Sequence, residues 1–330
     1  MGFDPHNRNR ISSSYLGGFT DLRTKFPPYL VSIDSPLPLV YNVTSVYAGV
    51  TLIINTDSIL YAFSNCNNLT AIPKDIFTAN ADKLTAMNGV FSDCTGLTAI
   101  PEGLFSTNTK LLGVSNMFNG CTGITSIPEG LFSTNTKLTT AIQTFSHCYG
   151  LTEIPAGLLS TNTLLADVSG MFSNCAGITE IPAGLFSTNT RITNASDLFN
   201  GCTGITSIPE GLLFTNTLLA DVSGMFSACE GITRVPEKLF ATNTQITDVS
   251  NLFSYYTKIQ GSIILYSPVV KRITYMFDRT TTAKTLFIPF HDETGAETTT
   301  YKTFKASTNP TYSTDKPNAQ GVLLADLNSI

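Results

Sequence analysis

The sequence predicts an α/β to mainly β solenoid: short parallel strands, helical or 3-10 corners, and irregular capping flanks. Three observations carry that prediction. The seven cysteines, Cys66, Cys94, Cys121, Cys148, Cys175, Cys202 and Cys229, are separated by 28 residues once and then by 27 five times. An apolar–proline pair keeps the same step at Ile72-Pro73, Ile100-Pro101, Ile127-Pro128, Ile154-Pro155, Ile181-Pro182, Ile208-Pro209 and Val235-Pro236. The stretch FNGCTGITSIPEGL occurs unaltered at 118–131 and 199–212, three steps of 27 apart. A fixed period of about 20–50 residues marks stacked units, none of which buries its apolar face alone.

In chain order the expected parts are four. Residues 1–45 form an extended arm, since FPPYLVSIDSPLPLVY at 26–41 holds four prolines among large apolar residues. Residues 46–63 cap the first repeat. Residues 64–257 hold seven 27-residue units. Residues 258–330 form a C-terminal cap and a Thr-rich tail. Near the end the pattern decays: Tyr256 stands where an eighth cysteine would fall, and ITYMF at 273–277 shortens the VSGMF corner.

Within the unit around Cys121 the apolar residues are Leu111, Val114, Met117, Phe118, Cys121, Ile124, Ile127, Leu131 and Leu138. They fall about three apart, neither the 3.6 of a long helix nor the 2 of a strand. GITSIP, rich in Ile and Thr, reads as the parallel strand, ended by a proline that cannot donate to a ladder. KLLGVS reads as a second, weaker strand, and MFNGC as a helical or 3-10 corner. The STNT segments, with Asn108, Asn135, Asn162, Asn189, Asn216 and Asn243, read as turns whose side chains bond nearby backbone.

The MFxxCxGI core, as in MFNGCTGI and MFSNCAGI, resembles the BspA-like leucine-rich repeats of bacterial surface proteins, and the DUF285-type repeats with MF..C corners in particular. The ITSIPEGLF half is similar to general leucine-rich repeats of the LxxIPxGLF kind. The resemblance covers 64–256 and implies a leucine-rich-repeat solenoid. It implies adhesins, surface proteins and phage-encoded binding proteins as relatives, and it carries no catalytic residues across.

Charged residues are 13% of the chain, about half the usual share, and the formal net charge is −5. Ser, Thr and Asn must cover the surface. The charge balance argues against nucleic-acid and anionic-membrane partners, which need clustered Lys and Arg. The N-terminus shows no apolar h-region of a signal peptide, and His6 stands where a myristoylation pattern wants Ser or Thr. No apolar run reaches the roughly 18 residues of a membrane helix.

No catalytic, cofactor-binding or metal-ligating set is expected. The cysteines are read as a buried ladder of thiols, ahead of disulfides, given their odd number, and of a metal, given the absence of C-x2-C spacing. His147 adjoins Cys148 but is read as an exposed corner residue. Glu102, Glu129, Glu210 and Glu237 recur after the IP pair and are read as a solvated edge.

The expected binding surface is the outward side of ITxIP. There Thr98, Thr125, Thr152, Thr179, Thr206 and Thr233 form a ladder beside a column that varies, with Glu153, Glu180 and Arg234 as its charged members. A Thr ladder also suits a pleated exposed face without a ligand, and both readings stay open here.

The expected function is a non-enzymatic structural or adhesive protein. The first reading is a phage virion component (fibre, head decoration or tail protein), made in the host cytoplasm without a signal peptide and localised to the virion. The alternative is a BspA-like adhesin on the bacterial cell surface. Expected partners are other subunits of an assembly, met through 1–45 and 278–330, copies of the same chain, and a host-surface protein or glycan.

Overall fold

The structure, a computed structural model, describes residues 58–61, 63–72, 74, 76–78, 83–236, 238–255, 262–264, 267, 272, 275–276, 284–288 and 302–306. The arm expected at 1–45, most of the cap at 46–63, Tyr256 and most of the tail lie outside them. The chain divides into two compact units, Met1–Leu164 and Leu165–Ile330, a division that falls inside the repeat array.

One position per repeat makes a parallel backbone bridge to the next. In the first unit Ser58 pairs with Ala86, Ala86 with Gly113, and Gly113 with Thr140. In the second, Asp167 pairs with Asn194, Asn194 with Asp221, Asp221 with Asp248, and Asp248 with Arg272. These residues lie in the KLLGVS-type stretch, so the piece read as the weaker strand carries the ladder. The ITxIP piece bears isolated bridged residues only, at Ala71 and Arg234. The reason lies in its burial. Leu97 and Ile100 are buried while Thr98 and Ala99 between them are both exposed. A strand sends successive side chains to opposite faces, and this piece does not.

Past the bridge the chain enters a run of turns. The N–H groups of Val114, Asn116, Phe118 and Gly120 donate to the carbonyls of Thr140, Ile142, Thr144 and Ser146 in the following repeat, at 3.2, 2.8, 2.9 and 2.8 Å. Two left-handed residues four apart make this possible, Asn116 at φ 56° and Gly120 at φ 72°. The same pair recurs at Gly89 and Asp93, Gln143 and His147, Gly170 and Asn174, Asp197 and Gly201, Gly224 and Ala228, and Asn251 and Tyr255. The corner is therefore not helical, as the sequence led us to expect. A left-handed residue interrupts a right-handed helix, and Gly, Asn and Asp adopt that conformation most cheaply. No α-helix occurs among the described residues.

The interior is a set of columns. Phe63, Phe91, Phe118 and Phe145 stack at centroid spacings of 5.4, 5.7 and 5.7 Å, with ring planes within 8° of parallel. Phe77, Phe105 and Phe132 form a second stack at 6.0 and 5.9 Å. In the second unit Phe172, Phe199, Phe226 and Phe253 stack at 5.8, 5.8 and 5.7 Å. Each repeat thus supplies a flat ring to a neighbour displaced by one inter-strand step, within the 4.5–7 Å range that aromatic pairs favour. Backbones also touch. A Cβ on Gly123 would sit 2.6 Å from the Leu97 carbonyl oxygen, and one on Gly150 would sit 2.8 Å from that of Thr122. Glycine recurs after the cysteine because neighbouring coils leave no room for a side chain.

Beyond the last full repeat, Arg272 accepts from the Val249 N–H and Met276 from the Phe253 N–H, both at 2.9 Å. Tyr275 is left-handed at φ 55° and Met276 is buried. Arg272, Tyr275 and Met276 thus take the places of a further, shortened repeat. Three strands flank this stretch, β1 (Ser262–Ile264) before it and β2 (Lys284–Ile288) and β3 (Lys302–Ala306) after it. β1 pairs parallel with β2, and β2 antiparallel with β3.

Candidate binding surface

The outward face of ITxIP is held from below by two buried apolar residues per repeat. In the first unit Leu97 and Ile100, Ile124 and Ile127, and Leu151 and Ile154 point inward, all at 5% exposure or less. The two residues between each pair then face solvent. Thr98, Thr125, Thr152 and Glu153 are exposed in the first unit, and Thr179, Glu180, Thr206, Thr233 and Arg234 in the second. Thr152 donates its N–H to the Thr125 carbonyl at 3.2 Å and points its Oγ1 to the same oxygen at 3.3 Å. Thr206 donates its N–H to the Thr179 carbonyl at 3.4 Å. The ladder therefore has real cross-repeat bonds, though sparse ones. The charged members are dispersed. Glu153 belongs to the first unit, and Glu180 and Arg234 lie two repeats apart in the second, with exposed Ser207 between them.

The cysteines serve the interior instead. All seven are free thiols and buried. Cys94, Cys121 and Cys148 donate to the carbonyls of Phe63, Phe91 and Phe118 at 3.0, 3.1 and 3.2 Å. Cys202 and Cys229 do the same to Phe172 and Phe199 at 3.0 and 2.9 Å. Burial pushes the Cys121 thiol up from its ordinary 9.0 to about 12 and holds Cys202 well above its usual range. The thiolate is the nucleophilic and metal-binding form, so these groups are held in their inert state.

The asparagines form a second interior ladder. Asn135 donates through Nδ2 to the carbonyls of Phe105 and Asn108 at 3.1 and 2.8 Å. Asn216 reaches Phe186 and Asn189 at 3.2 and 2.8 Å, and Asn243 reaches Leu213 and Asn216 at 3.0 and 2.8 Å. The sequence suggested local turn bonds; the partners are in the preceding repeat.

His147 differs from expectation. It is half-buried and left-handed at φ 60°, with Nδ1 2.8 Å from the Ser146 Oγ and its ring edge-on to Tyr149 at 5.9 Å. Ser146 is fully buried, so the pair presents no hydroxyl to a substrate. Glu102, Glu129 and Glu210 are exposed, and Glu237, His6 and His291 lie outside the described residues. Among the described residues no three His, Cys, Asp or Glu gather as a metal site, and no helix is long and apolar enough to cross a membrane.

Sequence reasoning passed over two exposed apolar side chains, Phe214 and Leu218, at 55% and 50% exposure. The signal was present. Phe214 stands where other repeats have Ser106, Ser133, Ser160 and Ser187, and Leu218 where they have Lys110, Lys137, Leu164 and Arg191.

No family model and no curated protein matches the chain. Solved structures to which it is similar carry leucine-rich repeats. One is the APL1 leucine-rich repeat domain, at 13% identity and a TM-score of 0.34, covering 50% of this chain and 44% of that one. Another is the leucine-rich repeat protein of T. pallidum, at 16% and 0.27, covering 56% and 80%. A third is the functional domain of InlJ from Listeria monocytogenes, described as including a cysteine ladder, at 16% and 0.18, covering 71% and 61%. The chain thus spans less than half the length of the APL1 domain. Its repeating coil rests on its own ladders of bridges, rings, thiols and amides rather than on these likenesses.

Proposed function

We propose that this chain is a non-enzymatic, leucine-rich-repeat-like scaffold of the BspA type whose ITxIP face binds a protein or a glycan, working as a phage virion component. The supporting observation is the pairing of outward columns. A constant Thr column lies beside one that runs Ala99, Ser126, Glu153 in the first unit and Glu180, Ser207, Arg234 in the second. Near-identical copies that differ at exposed positions support recognition at those positions, since stacked repeats offer extended surfaces and need only their inner faces for stability. Hydroxyls of Thr and carboxylates of Glu supply donors and acceptors suited to sugar hydroxyls or peptide groups.

The test is a screen of immobilised host glycans and surface proteins against the full chain and its Glu153→Ala, Glu180→Ala, Arg234→Ala triple variant. The expected result is a ligand whose affinity falls at least about tenfold in the triple variant, about 1.4 kcal/mol. Unchanged binding removes the ITxIP face from the proposal. Co-sedimentation of the chain with purified virions supports the virion assignment, whereas recovery in the bacterial cell envelope replaces it with a cell-surface adhesin.

A further inference from the structure

Three peptide bonds of the chain join asparagine to glycine: Asn88-Gly89, Asn119-Gly120 and Asn200-Gly201. Such a bond has a chemistry of its own. The glycine nitrogen can attack the side-chain carbonyl carbon of the asparagine, and without a Cβ on the glycine little hinders the approach. A bond from that nitrogen to Cγ forms, the bond from Cγ to Nδ2 breaks, and ammonia leaves with the proton of the attacking nitrogen. Water then opens the cyclic imide at either carbonyl, giving aspartate or isoaspartate. Isoaspartate carries the main chain through the side-chain methylene and so lengthens it by one carbon.

The fold restrains the three attacking nitrogens alike. The N–H groups of Gly89, Gly120 and Gly201 donate to the carbonyls of Ser115, Ser146 and Ser227, each at 2.8 Å. All three glycines are left-handed, at φ 64°, 72° and 72°. The side-chain amides are restrained differently. Asn88 is tied across repeats, since its Oδ1 accepts the Ser115 N–H at 3.1 Å, and the Tyr61 ring lies over Gly89. Asn200 donates through Nδ2 to the Asp197 carboxylate at 2.8 Å. Asn119 donates through Nδ2 to the Asn116 amide oxygen at 3.3 Å. A hydrogen bond to a carboxylate is shorter and roughly twice as strong as one between neutral groups. Cover does not separate these two sites: a Cβ on Gly120 would fall on the Asp93 side chain, and one on Gly201 on the Asn174 side chain.

We propose that Asn119 is the site at which the folded chain deamidates, while Asn88 and Asn200 are held back. The chain carries its own control. Asn119 and Asn200 lie in the two identical copies of FNGCTGITSIPEGL, so both are flanked by Phe, Gly and Cys and have the same intrinsic reactivity. The partner residues Asn116 and Asp197 differ, yet each stands three residues earlier in the left-handed conformation, at φ 56° and 53°. A difference in rate between the two sites therefore comes from the fold. The product has a structural consequence. The carbon added by isoaspartate displaces the Gly120 N–H from the Ser146 carbonyl, and so loosens the tie between two repeats.

The experiment ages the full chain in mildly alkaline buffer, folded and in urea, and follows each asparagine by peptide mass spectrometry that separates aspartate from isoaspartate. In urea Asn119 and Asn200 are expected to react at equal rates. In the folded chain Asn119 is expected to react at least about fivefold faster than Asn200, about 1 kcal/mol, which is the excess of a charged over a neutral hydrogen bond. Asn88 is expected to stay behind Asn119 as well. Asn116→Asp gives Asn119 a carboxylate partner and is expected to slow it at least about threefold. Asp197→Asn removes that partner from Asn200 and is expected to speed it by a similar factor. Circular dichroism and thermal melting check that both variants keep the coil. The comparison within the wild type needs no variant and decides the question even where a variant fails to fold. Equal rates at Asn119 and Asn200 in the folded chain overturn the proposal, because both sites then react through a common unfolding. So do a faster reaction at Asn88 or Asn200 and folded variants whose rates do not move.

Discussion

The Cys121 thiol donates to the carbonyl oxygen of Phe91, 30 residues earlier, at 3.1 Å. That carbonyl also receives the Cys94 N–H at 3.2 Å, so one oxygen closes a turn in its own repeat and ties down the next. The cysteine is thus a buried hydrogen-bond donor at a fixed place in each coil, which gives it a role beyond filling space.

The first prediction concerns alkali. Unfolded, the Cys121 thiol ionises near 9.0; folded, it keeps its proton to about 12. Between those values the unfolded chain binds fewer protons than the native one. Stability is therefore fully present below about pH 9 and falls as pH rises toward about 12, with a limiting slope near 1.4 kcal/mol per pH unit for each such thiol. The urea midpoint should drop steadily over that window. A thiol reagent at neutral pH should label none of the seven cysteines in the native coil and all of them in denaturant.

Asn135 makes the second case. Its Nδ2 satisfies two buried carbonyls, those of Phe105 and Asn108, while its own Oδ1 has no partner. Its value lies in the donors. Asn135→Ala removes one donor from each carbonyl, while the Asn108 N–H still reaches Phe105 and the Leu111 N–H still reaches Asn108; it should cost about 1–3 kcal/mol, at about 0.5–1.5 for each lost bond. Thr136→Ala, at the exposed neighbour, should stay within about 0.5 kcal/mol. Equilibrium denaturation of the two variants checks the contrast, and equal effects would remove the amide ladder from the account.

Two glycines separate conformation from crowding. Gly103 and Gly120 have nearly the same φ, 69° and 72°. A Cβ on Gly103 would have its nearest neighbour, the Ser106 Oγ, at 3.5 Å, whereas one on Gly120 would fall on the Asp93 carboxylate and within 3.3 Å of the Asp93 Cα. Gly103→Ala should therefore cost only the left-handed backbone term, about 1–2 kcal/mol. Gly120→Ala should cost more, by what it takes to displace Asp93, and Gly120→Ala with Asp93→Gly should recover part of that excess. Thermal melts of the three variants order the effects.

The step of 27 residues and the inward side of each repeat were legible because burial selects apolar residues at fixed places: Phe118, Cys121, Ile124 and Ile127 all read as core and are core. The ladder went to the wrong half of the repeat because Ile and Thr raise β propensity in GITSIP, while Thr125 and Ser126 both turn outward there. The left-handed pair escaped notice because no single residue type marks it. Asn116, Gln143 and Asp197 occupy its first position, and Gly120, His147 and Asn174 its second. At the surface, Thr98 and its counterparts were correctly read as outward-facing. Phe214 was overlooked because attention went to what repeats, and it stands out by not repeating.

The run of turns that holds the N–H groups of Val222, Gly224 and Phe226 toward the carbonyls of Asp248, Ser250 and Leu252 gives the stack a chemical direction. Each coil offers hydrogens on its later side and oxygens on its earlier side along this run. The two ends are consequently unlike, as plug and socket are unlike. A segment that finishes the later end must bring carbonyls, as Arg272 and Met276 do, and the same segment could not finish the earlier end. Whole 27-residue coils can be added or removed between the ends with every bond re-formed, so length is free to vary in this molecule while polarity is not.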